Sequence, residues 1–590
     1  MIIRIGLGSC GIAAGGLEVW DAIQKVLDEQ AMDIQMKKTG CAGMCHYEPL
    51  MDVLHDGRQY SYVNLNPAAA AEIVSSLGEG HLPENKYLLS IKDIDKDIDS
   101  DLFSGQVRIA LRNCGRIDPE AIEDYIDSGG YQSLRRVLLD MTAAECLEEI
   151  KTSGLRGRGG AGFPTWFKWK ATRDAIDDIK YVVCNADEGD PGAFMDRSLL
   201  EGDPHSIIEG LAIAGYAIGA GQGIIYVRAE YPLAVKRLEL AIEQARQKSY
   251  LGNNIFGSDF SFDLQIKKGA GAFVCGEETA LLASLQGERG MPHLKPPFPS
   301  EHGYWGHPTS INNVETLANI PWIIQNGGQA FAAVGSDQSK GTKVFALAGK
   351  IKYGGLVEVP MGMPLRDIIY DLGGGIRGDG AFKAVQLGGP SGGCIPASLL
   401  DTPVDYESIT STGAIMGSGG MVVMDESSCM VDLARFFLDF TQKESCGKCV
   451  QCRLGTKRML EILERICAGQ GRKGDIERLE SIALHVKESS LCGLGQSAPN
   501  PVLTTLKYFR DEYEAHIYEQ TCPAHQCKAL IHYTIDPEKC KGCGLCARAC
   551  PVECISGERK KPFVIDQSRC TRCGTCVDIC PDKWNAVQVD

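Results

Sequence analysis

Residues 154–170 read GLRGRGGAGFPTWFKWK, and residues 181–197 read YVVCNADEGDPGAFMDR. The first stretch holds a loop, 157–162, in which four of six residues are glycine, so main-chain N–H groups can closely approach a phosphate or a flat ring. This G-x-G-x-x-G pattern alone fits an ordinary tight turn equally well. Basic and aromatic side chains accompany it: Arg156, Arg158, Lys168, Phe163 and Trp166. The three cations are expected to pair with an anion and the two rings to offer stacking surfaces, which favours a nucleotide site.

The second stretch begins like a buried strand at residues 181–183 and continues with polar side chains. Another glycine-containing segment, residues 268–279, reads KGAGAFVCGEET. A third candidate segment, Lys295 to Phe298, combines a cation with an aromatic ring between two prolines. Taken alone, Lys295 could equally be a solvated side chain, and only its setting between Pro292 and Pro299 argues otherwise.

Together these motifs resemble the flavin-bearing, NADH-oxidising subunit of respiratory complex I. The chain is still more similar to the enlarged version of that subunit, the beta subunit of NAD-dependent, electron-bifurcating iron-only hydrogenases and formate dehydrogenases. The resemblance covers nearly all 590 residues. It implies FMN on the glycine-rich loop, NADH stacked over the flavin, and these cofactor-binding residues: Gly157, Arg158, Gly159, Gly160, Gly162, Phe163, Lys168, Asn185, Asp187, Glu188, Asp190, Phe273, Gly276, Glu277, Glu278, Lys295, Phe298, Asn312 and Asn313.

Particular roles follow from the same resemblance. A carboxylate near the adenosine ribose accepts hydrogen bonds from the 2′-OH and repels a 2′-phosphate, so Glu278 favours NADH over NADPH; a capping or surface glutamate is the alternative. Asn312 and Asn313 are expected to close the flavin pocket. Two positions depart from the family pattern, since Phe273 replaces a usual tyrosine and Trp166 a usual glycine. The indole of Trp166 either reshapes the flavin entrance or only packs.

Composition limits the class of protein. The chain is 44% apolar and 23% charged, which is typical of globular proteins, and its net charge of −16 argues against nucleic acid. The most apolar run, 211–227, is interrupted by glycines and predicts a buried helix followed by a strand, not a membrane span. The N-terminal apolar segment is too short for a signal peptide, so we expect a cytoplasmic protein without direct membrane insertion. Its 25 cysteines then indicate metal binding.

The chain divides into several α/β and α+β segments joined by a polar linker near residues 86–105. By resemblance the segments are a thioredoxin-like ferredoxin domain at 1–85, an FMN- and NADH-binding domain at 106–335, a ubiquitin-like module at 340–422, a helical 4Fe–4S domain at 425–520 and a two-cluster ferredoxin domain at 531–590.

The N-terminal segment has three cysteines of a four-cysteine 2Fe–2S pattern. Cys10, Cys41 and Cys45 are present, but Gly15 stands where the family has its second cysteine. Three cysteines cannot supply four thiolates. The sequence therefore predicts a vestigial docking domain, with a 2Fe–2S cluster held by a non-cysteine fourth ligand as the alternative.

Three 4Fe–4S clusters are predicted further on. The run C-x2-C-x2-C at 446–452 brings three sulfurs to one side of a loop, and a later cysteine is the natural fourth ligand; a zinc site is the weaker alternative. Residues 540–551 and 570–581 repeat C-x2-C-x2-C-x3-C-P, the bacterial ferredoxin pattern in which each fourth cysteine binds the other cluster. The three ligand sets are Cys446, Cys449, Cys452 and Cys492; Cys540, Cys543, Cys546 and Cys580; and Cys570, Cys573, Cys576 and Cys550. Cys554 is a ninth, bystander cysteine.

A separate zinc site is predicted just ahead of the ferredoxin repeat. Its expected ligands are Cys467, His516, Cys522 and Cys527, a common composition for a closed zinc site, with His525 as an alternative histidine. Buried thiols in a proline-containing turn are the competing interpretation. Cys394 and Cys429 have no cysteine at ligand-like spacing and are predicted to be ordinary buried thiols.

A flavin accepts two electrons together and releases them singly, whereas an iron–sulfur cluster carries one. The sequence thus predicts an NADH:acceptor oxidoreductase (diaphorase) subunit, in which hydride transfer needs no general acid or base. The expected partners are a small thioredoxin-like 2Fe–2S subunit, a larger iron–sulfur catalytic subunit of the hydrogenase or formate dehydrogenase type, and ferredoxin, in a soluble enzyme of an anaerobe. The alternatives are a complex I subunit proper and a non-catalytic electron-transfer scaffold.

Overall fold

The structure, a computed structural model, describes residues 1–78, 81–93 and 105–589. The chain forms two compact units. The first consists of Met1–Asp379, Ala384–Val423 and Leu491–Leu494, and the second of Gly380–Lys383, Met424–Ser490 and Gly495–Asp590. Within the described ranges, no helix has both the length and the apolar character needed to cross a membrane.

The N-terminal part of the first unit is a five-stranded mixed sheet. Its strands are β1 Ile2–Gly6, β2 Gln35–Thr39, β3 Met51–His55, β4 Arg58–Tyr62 and β5 Leu88–Asp93, in the order β2-β1-β3-β4-β5. Its helices are α1 Ser9–Ala13, α2 Gly16–Glu29 and α3 Pro67–Gly78. The apolar stripe of α2, Val19, Ile23 and Leu27, is buried as its helical spacing predicts.

The predicted linker at 86–105 is shorter than expected. Its first residues belong to β5, which pairs antiparallel with β4. The remaining part of this prediction, residues 94–104, lies outside the described residues.

The centre of the first unit is a four-stranded parallel sheet. Its strands are β6 Tyr181–Ala186, β7 Gln222–Arg228, β8 Asp263–Gly269 and β9 Thr309–Asn313, in the order β8-β7-β6-β9. The chain adds β7 and β8 on one side of β6 and then returns to place β9 on the other. In open parallel sheets, ligands bind outside the carboxyl ends of the strands at such a switch point. The crevice between the ends of β6 and β9 is therefore the expected ligand site.

Helices follow in chain order around this sheet. They are α4 Ile122–Asp127, α5 Gln132–Asp140, α6 Ala143–Ser153, α7 Thr165–Asp174, α8 Met195–Gly202, α9 Pro204–Ile218, α10 Pro232–Gln247, α11 Glu278–Leu285, α12 Val314–Asn326 and α13 Gly328–Ala332. Helix α9 is buried at every residue except Tyr216, begins at the capping side chain of Asp203 and ends at Gly219 with φ +81°. The predicted order of helix then strand across residues 211–227 is confirmed by α9 and β7.

A second mixed sheet follows. Its strands are β10 Thr342–Gly349, β11 Gly355–Pro360, β12 Phe382–Leu387, β13 Gly393–Pro396 and β14 Gly420–Asp425, in the order β11-β10-β14-β12-β13. Its helices are α14 Leu365–Asp367 and α15 Tyr406–Thr412. Strands β10 and β11 pair antiparallel, and β10 and β14 pair parallel.

The remaining helices are mostly those of the second unit. They are α16 Met430–Lys443, α17 Val450–Cys467, α18 Asp475–Ser489, α19 Gly493–Ser497, α20 Asn500–Tyr508 and α21 Arg510–Glu514. A shared apolar core joins α16, α17, α18 and α20 through residues such as Leu438, Leu463, Leu479 and Val502.

The C-terminal part of the second unit has two-fold internal repetition. Its elements are β15 Tyr533–Ile535, α22 Leu545–Ala549, β16 Ile555–Ser556, β17 Val564–Ile565, α23 Thr575–Asp578 and β18 Val587–Val589. Strands β15 and β18 form one antiparallel ribbon, and β16 and β17 form another. The short helices α22 and α23 occupy equivalent places in the two halves.

Candidate flavin, nucleotide and metal sites

The glycine-rich loop lies at the switch point of the parallel sheet. A Cβ on Gly159 would lie 3.1 Å from Cβ of Asn313, the last residue of β9, so the loop passes directly over this strand end. Asn313 also begins α12 by accepting a hydrogen bond from the N–H of Thr316. The sequence prediction that the loop and Asn313 share a site is consistent with this geometry.

Arg158 is turned away from the crevice. Its guanidinium is fully buried and donates to the carbonyl oxygens of Thr342 at 2.9 Å, Arg156 at 3.0 Å and Lys340 at 2.6 Å. Its main-chain N–H donates to Oγ1 of Thr316 at 2.8 Å. The expectation that the Arg158 side chain pairs with an anion does not fit this structure, because all three nitrogens already donate to main-chain carbonyls.

Tyr406 holds the other side of the loop. Its hydroxyl donates to the carbonyl of Gly157 at 2.8 Å, and its ring lies 2.6 Å from where a Cβ of Gly162 would be. Gly162 also has φ +62°, so both space and backbone conformation require glycine there. Arg156 stacks over the same ring, 4.3 Å from its centroid, and pairs with Glu407 at 2.7 Å.

Two lysines and two glutamates form a charged group near the loop. Nζ of Lys295 lies 2.7 Å from Glu278 and 3.6 Å from Glu277, and Nζ of Lys168 lies 3.9 Å from the second oxygen of Glu278. Burial lowers the pKa of Lys168. Burial also acts to lower the pKa of Lys295, but the carboxylates of Glu278 and Glu277 outweigh it, so the pKa of Lys295 is raised. Glu278 is therefore poised between two cations.

The carboxyl end of β6 is joined to the segment that carries these glutamates. The amide of Asn185 donates to the carbonyl of Gly276 at 2.8 Å, and its oxygen accepts from the N–H of Asp187. A Cβ on Gly276 would lie 3.4 Å from the carbonyl of Asp187. The structure thus brings Asn185, Asp187 and Gly276 together, while their contact with a cofactor stays a prediction. Glu277 accepts hydrogen bonds at the start of α11 from the N–H groups of Thr279 and Ala280.

Glu188 and Asp190 have structural partners. The carboxylate of Glu188 accepts from the N–H groups of Asp196 and Arg197, which open α8, and burial raises its pKa. Asp190 accepts from the hydroxyl of Ser418 at 2.6 Å, and burial raises its pKa to about 6. Both carboxylates position the segment after β6.

The asparagine pair of β9 points to two different partners. Asn312 accepts from the indole N–H of Trp169 at 3.2 Å, whereas the amide of Asn313 donates to Asp196 at 2.6 Å. The second carboxylate oxygen of Asp196 is buried and has no hydrogen-bond partner among the described residues. Lys168 lies close by, donating to the carbonyl of Ile311 at 2.5 Å. Polar and cationic groups therefore line the end of β9.

Aromatic rings are available for stacking. Phe163 and Phe298 are each about half exposed, at 48% and 51%. The ring of Phe273 approaches Gly189, where a Cβ would lie 2.6 Å from it. Trp166 is partly buried against the core with Lys151 over its indole, which favours the packing role for this residue. Glycine-lined backbone, cations and open rings together fit a bound FMN and a dinucleotide.

The three N-terminal cysteines are close together. Sγ of Cys41 lies 3.7 Å from Sγ of Cys45, and Cys10 accepts from Arg197 at 3.7 Å. Gly15, which stands where the family has its second cysteine, has φ +102°. One carboxylate oxygen of the buried Glu48 lacks a hydrogen-bond partner within the described part of the chain, and burial raises the pKa of this side chain to about 8.

The cysteines of the ferredoxin repeat enclose two separate cavities. Each cavity contains the crossed set that the repeat predicts: Cys540, Cys543, Cys546 and Cys580 in one, and Cys550, Cys570, Cys573 and Cys576 in the other. Four thiols around one small cavity are the donor set of a cubane cluster. The residues present fit two 4Fe–4S clusters.

The third predicted cluster is positioned by the start of α17. Cys449 is the residue before this helix, and Cys452 is buried in its first turn, where Sγ lies 3.2 Å from the hydroxyl of Ser445. Cys446 precedes both on the same loop. The role of Cys492 as fourth ligand stays a prediction.

A further group of metal-binding type is buried in the second unit. It consists of Cys429, His516, Cys522 and Cys527, whose ligand atoms all lie within 4.8 Å of one another. Nε2 of His516 is 3.4 Å from Sγ of Cys429 and 3.3 Å from Sγ of Cys527, while its Nδ1 bonds the carbonyl of Glu512 at 2.7 Å. Such a bond on one ring nitrogen leaves the other free to bind a metal.

This group differs from the set predicted from sequence. Cys429, predicted to be an ordinary thiol, takes the place of Cys467, which ends α17 beside Cys527 but lies outside the group. The reason is that Glu512 accepts a hydrogen bond from the N–H of Met430 at 3.0 Å, which brings the start of α16 to the turn that carries His516. His525, the alternative histidine, is also outside the group.

Comparisons with known proteins agree with this geometry. Residues 150–322 match the Nuo51 FMN-binding domain, residues 432–516 match the NADH-ubiquinone oxidoreductase-F iron-sulfur binding region, and residues 532–581 match a 4Fe-4S dicluster domain. An F-type NADH-quinone oxidoreductase subunit of Rhizobium meliloti is 46% identical over 417 residues, covering 71% of this chain and 99% of that protein. The chain belongs to the F-type family of NADH-quinone oxidoreductase subunits.

Two other relatives of this F-type chain are informative. The NADP-reducing hydrogenase subunit HndC of Solidesulfovibrio fructosivorans is 61% identical over 457 residues, covering 78% of this chain and 93% of that protein. The crystal structure of NAD+-reducing [NiFe]-hydrogenase in the H2-reduced state has a TM-score of 0.63 and 32% identity, covering 88% of this chain and 84% of that one. The resemblance to flavin-bearing, NADH-oxidising subunits is thus confirmed, as is a mixed α/β chain with FMN-binding and 4Fe–4S regions.

Sequence reasoning missed several residues of the sites. Thr316 and Tyr406, which hold the glycine-rich loop, belong to none of the quoted motifs, and Asp196, which holds Asn313, lies in the stretch 181–197 but was given no role there. Cys429 was missed because 87 residues separate it from His516. The one local signal in the sequence is that Cys429 directly precedes an apolar helix. In the structure its sulfur accepts a hydrogen bond from the N–H of Asp432 at the start of that helix.

Proposed function

We propose that this F-type chain oxidises NADH at a flavin and passes single electrons through 4Fe–4S clusters to partner subunits. The observation that carries the proposal is the meeting of the glycine-rich loop, Asn313 and the Lys168–Glu278–Lys295 group at the switch point of a parallel sheet. Bound FMN supplies the conversion between two-electron hydride chemistry and one-electron transfer.

Main chain, cations and aromatic rings each have a separate part in binding the flavin and the dinucleotide. The glycines of 157–162 let the loop pass close to Asn313, which places the main chain of the loop at the strand end where a flat ring and a phosphate are proposed to bind. Lys168 and Lys295 are the cations available to phosphate groups, and the half-exposed Phe163 and Phe298 are available to stack on aromatic rings. No side chain has to move a proton for a hydride to pass between two stacked rings.

Glu278 is the proposed selector of the dinucleotide. A carboxylate next to a ribose accepts from its 2′-OH and repels a 2′-phosphate, so we expect a preference for NADH. The two lysines around Glu278 moderate that repulsion. This moderation is relevant because one relative at 61% identity is named as NADP-reducing.

We further propose three 4Fe–4S clusters, two in the crossed cysteine cavities and one at Cys446, Cys449, Cys452 and Cys492. The N-terminal sheet is proposed to be a thioredoxin-like docking domain without a cluster. Three side-chain contacts join it to the flavin region. Ser9 donates hydrogen bonds to Glu201, and two ion pairs form, Lys37 with Asp124 and Lys38 with Glu120. The double variant Cys41→Ser with Cys45→Ser tests this hypothesis. An unchanged iron content supports a domain without a cluster, and a loss of about two irons per chain contradicts it.

The Cys429 group is proposed to hold zinc. Three cysteines and one histidine with all ligand atoms within 4.8 Å are the composition and spacing of a closed structural zinc site. Every ligand is buried, and the group lies where the turn 522–527 leads from the helical bundle to the ferredoxin repeat. Zinc there stabilises this connection.

The remaining assignments are also proposals. The second mixed sheet is assigned to a ubiquitin-like module. The five segments keep the order predicted above, with the first extended to the end of β5 at Asp93 and the third to the end of β14 at Asp425. The protein works in the cytoplasm with a small thioredoxin-like 2Fe–2S subunit, a larger hydrogenase- or formate dehydrogenase-type subunit and ferredoxin, in an electron-bifurcating enzyme. A complex I role is the second candidate, supported by the relatives named as NADH-quinone oxidoreductase subunits.

The test is a diaphorase assay on the full chain purified without oxygen. We expect bound FMN and NADH-dependent reduction of an artificial dye. Lys295→Ala should raise KM for NADH while FMN content is retained. A chain that binds clusters but neither FMN nor NADH would be the non-catalytic scaffold.

A further inference from the structure

The ferredoxin repeat contains one more cysteine than its two clusters need. Cys554 is buried, and its Sγ lies 3.4 Å from Sγ of Cys550. Its main-chain N–H also donates to Cys550 Sγ, at 3.4 Å. The same cavity that holds Cys550, Cys570, Cys573 and Cys576 is lined by Cys554. Five thiols therefore surround a site for a cluster with four iron corners.

The second half of the repeat supplies an internal comparison. Cys580 corresponds to Cys550, since each ends its C-x2-C-x2-C-x3-C run and is followed by proline. Four residues beyond Cys580 stands Trp584, which lines the other cavity. One cluster site thus has a thiol at this position, and the other has an indole that cannot bind iron.

We propose that Cys554 is a reserve ligand, able to bind the iron corner that Cys550 normally holds. This inference rests on the proposed assignment of a 4Fe–4S cluster to this cavity. The two sulfurs are 3.4 Å apart, in van der Waals contact, so the Cys554 sulfur lies beside the position from which Cys550 is proposed to bind iron. Cys554 begins the segment that enters β16, and its N–H bond to Cys550 keeps the two residues in register.

The exchange is balanced without an oxidant or a reductant. The bond between iron and the Cys550 sulfur breaks, and a bond between the same iron and the Cys554 sulfur forms. The proton leaves the Cys554 thiol and is taken up by the released Cys550 thiolate. The cluster keeps four thiolate ligands and its charge throughout.

Both proposed clusters lie close to solvent, because Cys573 in this cavity and Cys543 in the other are exposed. Among the described residues, only this cavity has a fifth thiol beside its four predicted ligands. Damage to one ligand of an exposed cluster ordinarily opens a corner to loss of iron. With Cys554 adjacent, release of the Cys550 thiolate from its iron leaves a second thiol in reach of the same corner.

The experiment compares equivalent alanine variants of the two halves in the full chain, purified without oxygen. Cys550→Ala should keep the wild-type iron and acid-labile sulfide content, whereas Cys580→Ala should lose at least one iron per chain. Cys550→Ala combined with Cys554→Ala should then match the Cys580→Ala loss. Cys554→Ala alone should keep full iron. Zinc content and far-UV circular dichroism check that each variant is folded.

The electron paramagnetic resonance spectrum of the reduced chain is the second readout. A ligand exchange should leave the number of reduced clusters unchanged in Cys550→Ala while altering the signal of one of them. Equal iron loss in Cys550→Ala and Cys580→Ala, in folded protein, would overturn the proposal. Absence of iron from this domain in the wild type would instead overturn the cluster assignment itself.

Discussion

Arg158→Lys tests whether Arg158 supports the glycine-rich loop or binds a phosphate. The guanidinium donates three hydrogen bonds to carbonyl oxygens and is fully buried. A lysine ammonium is a compact donor that cannot match this planar fork, so we expect at least two of the three bonds to be lost. Each lost charge-assisted bond costs about 1.5 kcal/mol, which predicts a total loss of roughly 3 kcal/mol in the free energy of unfolding.

The assay separates the loop from the ligand. Urea unfolding of the flavin-free first unit, followed within the full chain, should show this loss before any FMN is added. FMN affinity should fall by up to roughly a hundredfold, because each 1.4 kcal/mol spent on ordering the loop weakens binding about tenfold. Arg366→Lys is the matched control, since Arg366 is exposed and its side chain pairs with the exposed Asp401, so the unfolding midpoint should stay at the wild-type value.

A particular result would refute the reasoning. If Arg158→Lys left the flavin-free protein as stable as the wild type and weakened only FMN binding, the side chain would be a phosphate ligand. The three carbonyl bonds would then contribute nothing measurable to the loop.

Three other changes have defined outcomes. Glu278→Gln should shift the NADH-over-NADPH preference in kcat/KM roughly five- to thirtyfold towards NADPH. The reason is that a carboxylate about 6 Å from a phosphate repels it by about 1–2 kcal/mol after solvent screening. An unchanged preference would show that Glu278 does not select the dinucleotide. Cys429→Ser should abolish bound zinc while Cys467→Ser retains about one zinc per chain, and elemental analysis giving the reverse would restore the set predicted from sequence. His205 is buried between Tyr131 and Gln244, and burial lowers its pKa from 6.5 to about 4, so its contribution to stability is complete above pH 6.5 and is lost as the pH falls to about 4. His205→Gln should flatten the dependence of stability on pH across this window, and a slope equal to that of the wild type would contradict the assignment.

The features that the sequence could predict are those that depend on residues close together in the chain. The grouping of the ferredoxin cysteines follows from spacing, because residues three apart in a run share one side of a loop, and the crossed placement of Cys550 and Cys580 is seen in the two cavities. Their role as cluster ligands stays a prediction. Residues 211–227 likewise formed a buried helix and a strand, since apolar length and glycine placement are local signals.

Distant partners were the part that sequence could not predict. From sequence, Arg158 is a plausible anion ligand. In the fold it donates to the carbonyls of Lys340 and Thr342, and the sequence of the loop does not predict these partners. Cys429 resembles a core thiol until the fold places it 3.4 Å from His516. In both cases the chemistry is decided by a partner more than 80 residues away, which a linear pattern does not contain.

The crossing of the two cysteine runs has a consequence for how the ferredoxin repeat is made. Neither cavity takes all four of its cysteines from one half of the repeat, because one set includes Cys580 and the other includes Cys550. A chain that stopped between Cys550 and Cys570 would therefore complete neither set of four thiols. Both proposed cluster sites thus depend on the second half of the repeat, and neither set is complete before that half has been made.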